Sequence, residues 1–331
     1  MNDRSASDAF EVQRDVRGPW RRYLDALAPM RPALHRYCCR LTGNVWDGED
    51  LLQDALLRVF GLLGKIDRDL DDPRAYLVRT ATHLWIDRQR RQARERAWRV
   101  TESSPGATTD EDLEHAVDAR GAMREIVALP PRERAARLLC DVLDMTAREA
   151  ASMLQISEGA VKAALHRARS HADTDAADRA DTNDPPRALV ESYLAALSSN
   201  DMDAMRRLCA DDVEIELVGG ATSTGFDAGQ TFFAHAHWVP PPEMAHLARA
   251  MRLGTAPHWR LERYRGEWLV LGMRTYDGVE GLNEVHRIEA AEDRIASIRC
   301  YCFCPDTLRM LGEELGLAAL DRPYRSPDPP R

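Results

Sequence analysis

A multidomain chain, with two all-helical blocks followed by one of α+β type, is the fold class the sequence predicts, and three observations predict it. Apolar residues recur with a helical period from Trp20 to about Trp98 and again from about Val117 to Ser170. Beyond Arg187, two helical segments give way to short alternating segments broken by glycine turns, with one hairpin expected from Trp259–Tyr264 and Trp268–Arg274 joined at Arg265-Gly266-Glu267 and another from Val285–Ala290 and Ile295–Phe303 joined through Glu292-Asp293. The blocks are separated by stretches without any apolar period, the first rich in serine, threonine, proline and glycine, the second acidic.

These changes place the first block at 15–98, a linker at 99–116, the second block at 117–171, an acidic tether at 172–186, the α+β block at 187–318 and a tail at 319–331. A chain of 331 residues exceeds what one hydrophobic core usually serves, so several domains agree with its length. With 44% hydrophobic and 30% charged residues, fibrous and disordered classes are excluded. No stretch is apolar enough to span a bilayer, and the polar N-terminus lacks the core of a secretory signal, so a cytoplasmic protein without membrane contact is expected. Seven scattered cysteines fit reduced thiols in that compartment. The net charge of -9 averages over the blocks and does not exclude a nucleic-acid partner.

Within the first block, Leu51, Leu52, Ala55, Leu56, Val59, Phe60 and Leu63 form one apolar stripe of a helix capped at Asp47. Asp50, Gln53, Asp54 and Arg58 occupy the opposite face, either as a solvated surface or as a docking surface. The next helix, Arg74 to Arg99 with Asp72 as its cap, carries eight arginines against Asp87 and Glu95. Tyr76, His83, Trp85 and Trp98 are interleaved with them. Arginines neutralise phosphates and aromatic faces stack on exposed bases, although Trp85, in step with Val78 and Ala81, equally fits a core position.

In the second block Met145 to Ser170 has the layout of a helix-turn-helix. Ala147, Ala150, Ala151 and Leu154 pack the first helix, Gln155-Ile156-Ser157 make the turn, and Ser157 caps the second. Ala160, Val161, Ala164, Leu165 and Ala168 are expected inward. Glu158, Gly159, Lys162, Ala163, His166, Arg167 and Arg169 remain outward for a major groove and its phosphates. A helical hairpin without a DNA role is the alternative.

The runs DGEDLLQDALLRVF and DPRAYLVRTATHLWIDRQRR resemble region two of bacterial sigma factors of the extracytoplasmic-function group. LPPRERAARLLCDVLDMTAREAASMLQISEGAVKAALHRARS resembles their region four, in the family's order and with a suitable linker. The resemblance implies that Asp50, Gln53, Asp54 and Arg58 dock on core RNA polymerase. It implies that loop 65–72 and the helix bearing Tyr76, Arg79, His83, Trp85, Arg88, Arg90 and Arg91 open and read the minus-ten element. Glu158, Gly159, Lys162, His166, Arg167 and Arg169 would read minus-thirty-five promoter DNA. Gln155 stands where the family usually has the turn glycine, and Ala163 where a larger polar residue is common.

Arg187 to about Leu317 more loosely resembles SnoaL-like domains, α+β cones of the nuclear-transport-factor-two superfamily. That resemblance leaves three readings: a domain that regulates the sigma domains in cis, a sensor for a small-molecule ligand, or an enzyme of ketosteroid-isomerase type. The expectation is a sigma factor, not an enzyme, with no cofactor and no metal. The attached domain is expected to make a separate anti-sigma factor unnecessary. Cys300, Cys302 and Cys304 alternate, so all three thiols are expected on one face of a strand, as core packing, metal ligands or oxidant sensors. His235, His237, Trp238, His246, His258, Tyr276, Asp277 and His286 could supply acid, base or ligand roles where they converge.

Overall fold

The computed structural model describes residues 18–63, 72–102, 129–170, 185–236, 249 and 254–324. Most of the serine-rich linker, loop 65–71, the start of the second block, the acidic tether as far as residue 184, His237, Trp238 and His246 lie outside the described residues, as do the side chains of Arg169 and His235. The chain divides into two compact units, residues 26–178 and residues 179–331 with the first 25.

In the first unit, helices α1 (Arg31–Thr42), α2 (Val45–Leu63) and α3 (Pro73–Glu102) form a bundle. Asn44, not Asp47, opens α2: its side chain accepts from the Asp47 amide at 2.7 Å. The misplacement is physical, because an Asx side chain three residues before a free amide supplies the same bond Asp47 would have offered later. Gly48 lets α1 and α2 touch, since a Cβ there would lie 2.5 Å from Cys39 Sγ. Asp72 caps α3 as expected, accepting from the Ala75 amide at 2.9 Å, and α3 runs on to Glu102, past the predicted start of the linker.

The same unit holds α4 (Pro131–Asp141), α5 (Ala147–Leu154) and α6 (Glu158–Ser170). Thr146 and Glu149 make a reciprocal capping box at the start of α5. Gln155 takes the left-handed conformation, φ 55° and ψ 46°, to turn the chain into α6, a conformation that costs a side-chain-bearing residue about 1 kcal/mol. Ser157 then accepts from the Ala160 amide at 3.1 Å, the cap the sequence predicts. Val161 and Ala164 are buried, whereas Ala160, expected inward, is exposed because it lies in the first turn, beyond the reach of α4 and α5.

The second unit opens with α7 (Arg187–Ser198) and α8 (Met202–Leu208) and builds one sheet from β1 (Cys209–Leu217), β2 (Ala221–Thr224), β3 (His258–Tyr264), β4 (Glu267–Tyr276), β5 (Val279–Ala291) and β6 (Arg294–Cys300). Helix α9 (Phe226–Ala236) follows β2, and α10 (Pro305–Leu315) follows β6. The order is β2-β1-β6-β5-β4-β3, antiparallel throughout except for the parallel pair β1–β6. Val190, Tyr193, Leu197, Met205, Phe226 and Phe233 of the helices bury one face of the sheet, against Ile215, Val270, Ile288 and Ile298. The α+β class is as expected. The tail drawn from residue 319 begins later: Ala319 bridges Leu282, the Leu320 amide donates to Leu282 O at 2.9 Å, and Arg322 is buried.

Candidate nucleic-acid interface and the interior of the second unit

Helix α2 carries the first candidate set. Asp54 and Arg58 are exposed while Asp50 and Gln53 are half-buried. Beneath them Glu49 is fully buried, bound by Arg31 at 2.5 Å and 3.3 Å from His35 Nε2. Gln53 Nε2 donates to the same carboxylate at 2.7 Å, so a buried ion pair fixes the orientation of a surface residue. Asp54 is ion-paired with Arg88 of α3, so the two candidate surfaces meet.

On α3, Arg90 and Arg91 are exposed, and Tyr76, Arg79, His83 and Arg88 are half-buried. Trp85 is not available to a base. It is 2% exposed, with the Arg134 guanidinium 5.1 Å above its ring, because its position shares the apolar stripe of Leu77, Val78 and Ala81. The exposed aromatic is Trp98, at 70%. Tyr37 donates to Thr82 Oγ1 at 2.6 Å, since the Thr82 hydrogen goes to Val78 O, and so ties α1 to α3.

The helix-turn-helix presents Glu158, Gly159, Lys162, Ala163, His166 and Arg167 to the outside as predicted. Lys162 bonds Glu158 at 2.7 Å and holds that carboxylate below its ordinary pKa. Arg167 Nε donates to Glu133 of α4 at 2.5 Å, so a protein carboxylate occupies one donor of a residue offered to phosphate.

The two helical blocks pack directly on one another. Arg134 Nη1 of α4 donates to Leu41 O at 3.0 Å, and His83 Nε2 donates to Met153 O of α5 at 3.1 Å. A residue expected to read the minus-ten element is thereby bonded to α5, the helix that precedes α6.

Among the described residues of the second unit, His286 is the member of the expected acid–base group that is buried in the interior. His258 is exposed beside Glu280 at 3.4 Å, and Tyr276 and Asp277 sit at the β4–β5 turn. His286 Nδ1 bonds Tyr193 OH at 2.8 Å, and its ring lies 5.0 Å from that of Trp259 and 6.4 Å from that of Phe233. Glu284, two residues along β5 on the same face, approaches His286 Nε2 at 3.8 Å. Burial pushes the Glu284 carboxyl up, but His286, Arg322 and Arg274 outweigh it and hold it below its ordinary value. Gly272 opposite is needed: a Cβ there would lie 2.7 Å from Glu284 Cγ and 2.8 Å from Trp259. Sequence reasoning missed Tyr193 and Glu284, and the alternation Glu284, His286, Ile288 was the signal for the latter.

The three cysteines separate. β6 ends at Cys300, and Cys300 and Cys302 stay with Glu284. Cys304 instead precedes α10 and donates to Val218 O at 3.7 Å, because Pro305 starts a helix and ends the alternation. The Cys300 thiol is pushed well up by its bond to Cys302 and by burial.

Two family descriptions match the chain: Sigma-70 region 2 over residues 27–95 and Sigma-70, region 4 over residues 121–171. The ECF RNA polymerase sigma factor SigG of Mycobacterium tuberculosis is 30% identical over 273 residues, covering 71% of this chain, and the chain spans 66% of that relative. The RNA polymerase sigma-E factor of Streptomyces avermitilis is 34% identical over 139 residues, 41% of this chain and 74% of the relative. Among solved structures, SigJ of Mycobacterium tuberculosis aligns over 86% of this chain and 97% of its own, at 22% identity and a TM-score of 0.31. The sigma factor RpoE in complex with the anti-sigma factor NepR, from Bartonella quintana, covers 45% of this chain and 92% of its own at 19% identity, TM-score 0.36. Nothing in these similarities supports the expectation that a separate anti-sigma factor is unnecessary. No described helix is long and apolar enough to cross a membrane.

Proposed function

Since the chain belongs to the extracytoplasmic-function group of RNA polymerase sigma factors, we propose that it binds core RNA polymerase, directs initiation at its promoters, and is modulated in cis by its own α+β domain. The observation that carries the reading is the presence of both regions, in order, on one unit with exposed charge where each needs it. Asp50, Gln53, Asp54 and Arg58 form the polymerase surface. Tyr76, Arg79, His83, Arg88, Arg90 and Arg91 serve the minus-ten element, with Trp85 supporting them from the core. Glu158, Gly159, Lys162, His166, Arg167 and Arg169 serve the minus-thirty-five element.

The packing of the two regions gives this reading a regulatory side. Promoter elements about 25 base pairs apart lie about 85 Å apart along a duplex, at about 3.4 Å per pair. With His83 bonded to Met153, the two regions sit too close to span that distance, so promoter reading requires α4 to α6 to leave α1 to α3. Among the described residues, the contacts that resist this separation include the two hydrogen bonds from Arg134 and His83 and the stacking of Arg134 on Trp85.

The test is run-off transcription across a genomic promoter library with cognate core polymerase and the full chain. Stimulation at a defined promoter set is the expected result. No stimulation at any promoter would remove the initiation reading and leave a promoter-binding protein without polymerase contact.

A further inference from the structure

We propose that Glu284, Cys300 and Cys302, completed by His286, form a binding site for a borderline-soft divalent cation, zinc foremost, inside the α+β domain. The first three offer one ligand atom each, all within 4.8 Å of one another, and all three residues are buried; His286 adjoins this group through Glu284, at 3.8 Å, and is not one of its members. The antiparallel register explains the convergence: His286 pairs with Cys300 across β5 and β6, and Glu284 lies two residues along the same face. Cys302 joins them because the chain, although out of the strand, has not yet turned into α10.

Three features point to a cation and not to packing alone. His286 is 1% exposed, yet its Nε2 has no hydrogen-bond partner, and it faces Glu284 Oε2 at 3.8 Å, too far for a hydrogen bond. Its other nitrogen is already held by Tyr193 OH at 2.8 Å, the arrangement that orients a metal-binding imidazole from behind. The Cys300 Sγ to Glu284 Oε2 distance of 3.6 Å and the 3.8 Å from Glu284 to His286 have the length of edges around one ion, whereas His286 stands outside the 4.8 Å group, so binding has to draw its ring towards the sulfurs. Bonds of about 2.0 to 2.3 Å to zinc give ligand-to-ligand edges of about 3.3 to 3.8 Å.

A donor set of two sulfurs, one imidazole and one carboxylate suits zinc, whereas magnesium and calcium require oxygen. On binding, two zinc–sulfur bonds form and the two thiol protons pass to solvent, with no change of oxidation state. Two thiolates and a carboxylate around a dication leave one negative charge, and the neighbouring Arg274 and Arg322 charges offset it. Bound metal would fasten residues 300–302 to β5 and give this domain a stability that depends on metal supply.

The experiment is a cobalt(II) titration of the reduced, chelator-stripped full chain. One equivalent should develop thiolate-to-cobalt charge transfer with the strong visible absorption of a tetrahedral ion, and one equivalent of zinc should reverse it. Cys300→Ser and Cys302→Ser should each weaken the charge-transfer band, while Cys304→Ser, outside the cluster, leaves it intact. Tyr193→Phe removes only the hydroxyl behind His286 and should lower cobalt affinity about ten- to a hundredfold. X-ray absorption of the zinc-loaded wild type needs no variant and should count two sulfur and two lighter neighbours. The proposal is overturned by absence of the band in wild type, by any other sulfur count, or by an unchanged band in a chain carrying both Cys300→Ser and Cys302→Ser. A Cys300–Cys302 disulfide found in place of metal uptake would equally overturn it.

Discussion

Trp85 and Trp98 sit on the same helix with opposite fates, and the difference is a matter of phase. Trp85 falls on the stripe that faces α1 and α4, where 2% of its surface is left to water, and Trp98 lies beyond the bundle at 70%. Trp85→Ala is expected to cost about 3 to 5 kcal/mol, the usual result of emptying an aromatic core position. Trp98→Ala should change stability by less than about 0.5 kcal/mol. Urea unfolding followed by circular dichroism measures both, and near-equal midpoints for the two variants would contradict the burial described here. The sequence offered Trp85 both roles, because periodicity marks which face a residue shares and not which neighbour covers that face. Arg134, nearly fifty residues on, is that neighbour.

At the scale of elements, local signals were read well and long-range ones poorly. The Ser157 cap, the Asp72 cap and the Arg265-Gly266 turn, with φ of 47° and 90°, each rest on a few adjacent residues and were legible. The Asp277-Gly278 turn, with φ of 49° and 77°, carries as strong a hairpin signal, yet the expectations place no hairpin there. The pairing of β4 with β5 was therefore missed, and with it the register that brings Gly272 opposite Glu284. The contact of α4 and α5 with the first three helices depends on residues far apart in sequence, and no pattern announces it. It yields a prediction. Arg134→Ala removes a hydrogen bond from a charged donor, worth about 1.5 kcal/mol, and should raise the separated fraction of the two regions by about tenfold. Fluorescence anisotropy with a labelled minus-thirty-five duplex should then report tighter binding. Unchanged affinity in a variant that melts as wild type does would mean that the contact does not restrain DNA reading.

For the whole molecule, the two units differ in what each can do alone. Residues 26–178 hold both sigma regions, and residues from 179 onward hold the sheet. Truncation after Ser170, compared with truncation after Pro186, should change transcription relative to the full chain. A rise would identify the α+β domain as a restraint, and a fall would identify it as a support. Equal activity of all three across a range of salt would refute regulation in cis and favour the enzyme reading. The order of the strands adds a constraint of timing. Because β1 pairs in parallel with β6, residues 209–217 have no inner neighbour until Cys300 has been synthesised. A ribosome adding about 5 to 20 residues per second reaches that point on the order of ten seconds after finishing α6. Each new molecule therefore passes through an interval in which its two sigma regions exist and its C-terminal sheet does not, and any restraint by that sheet begins only when the interval closes.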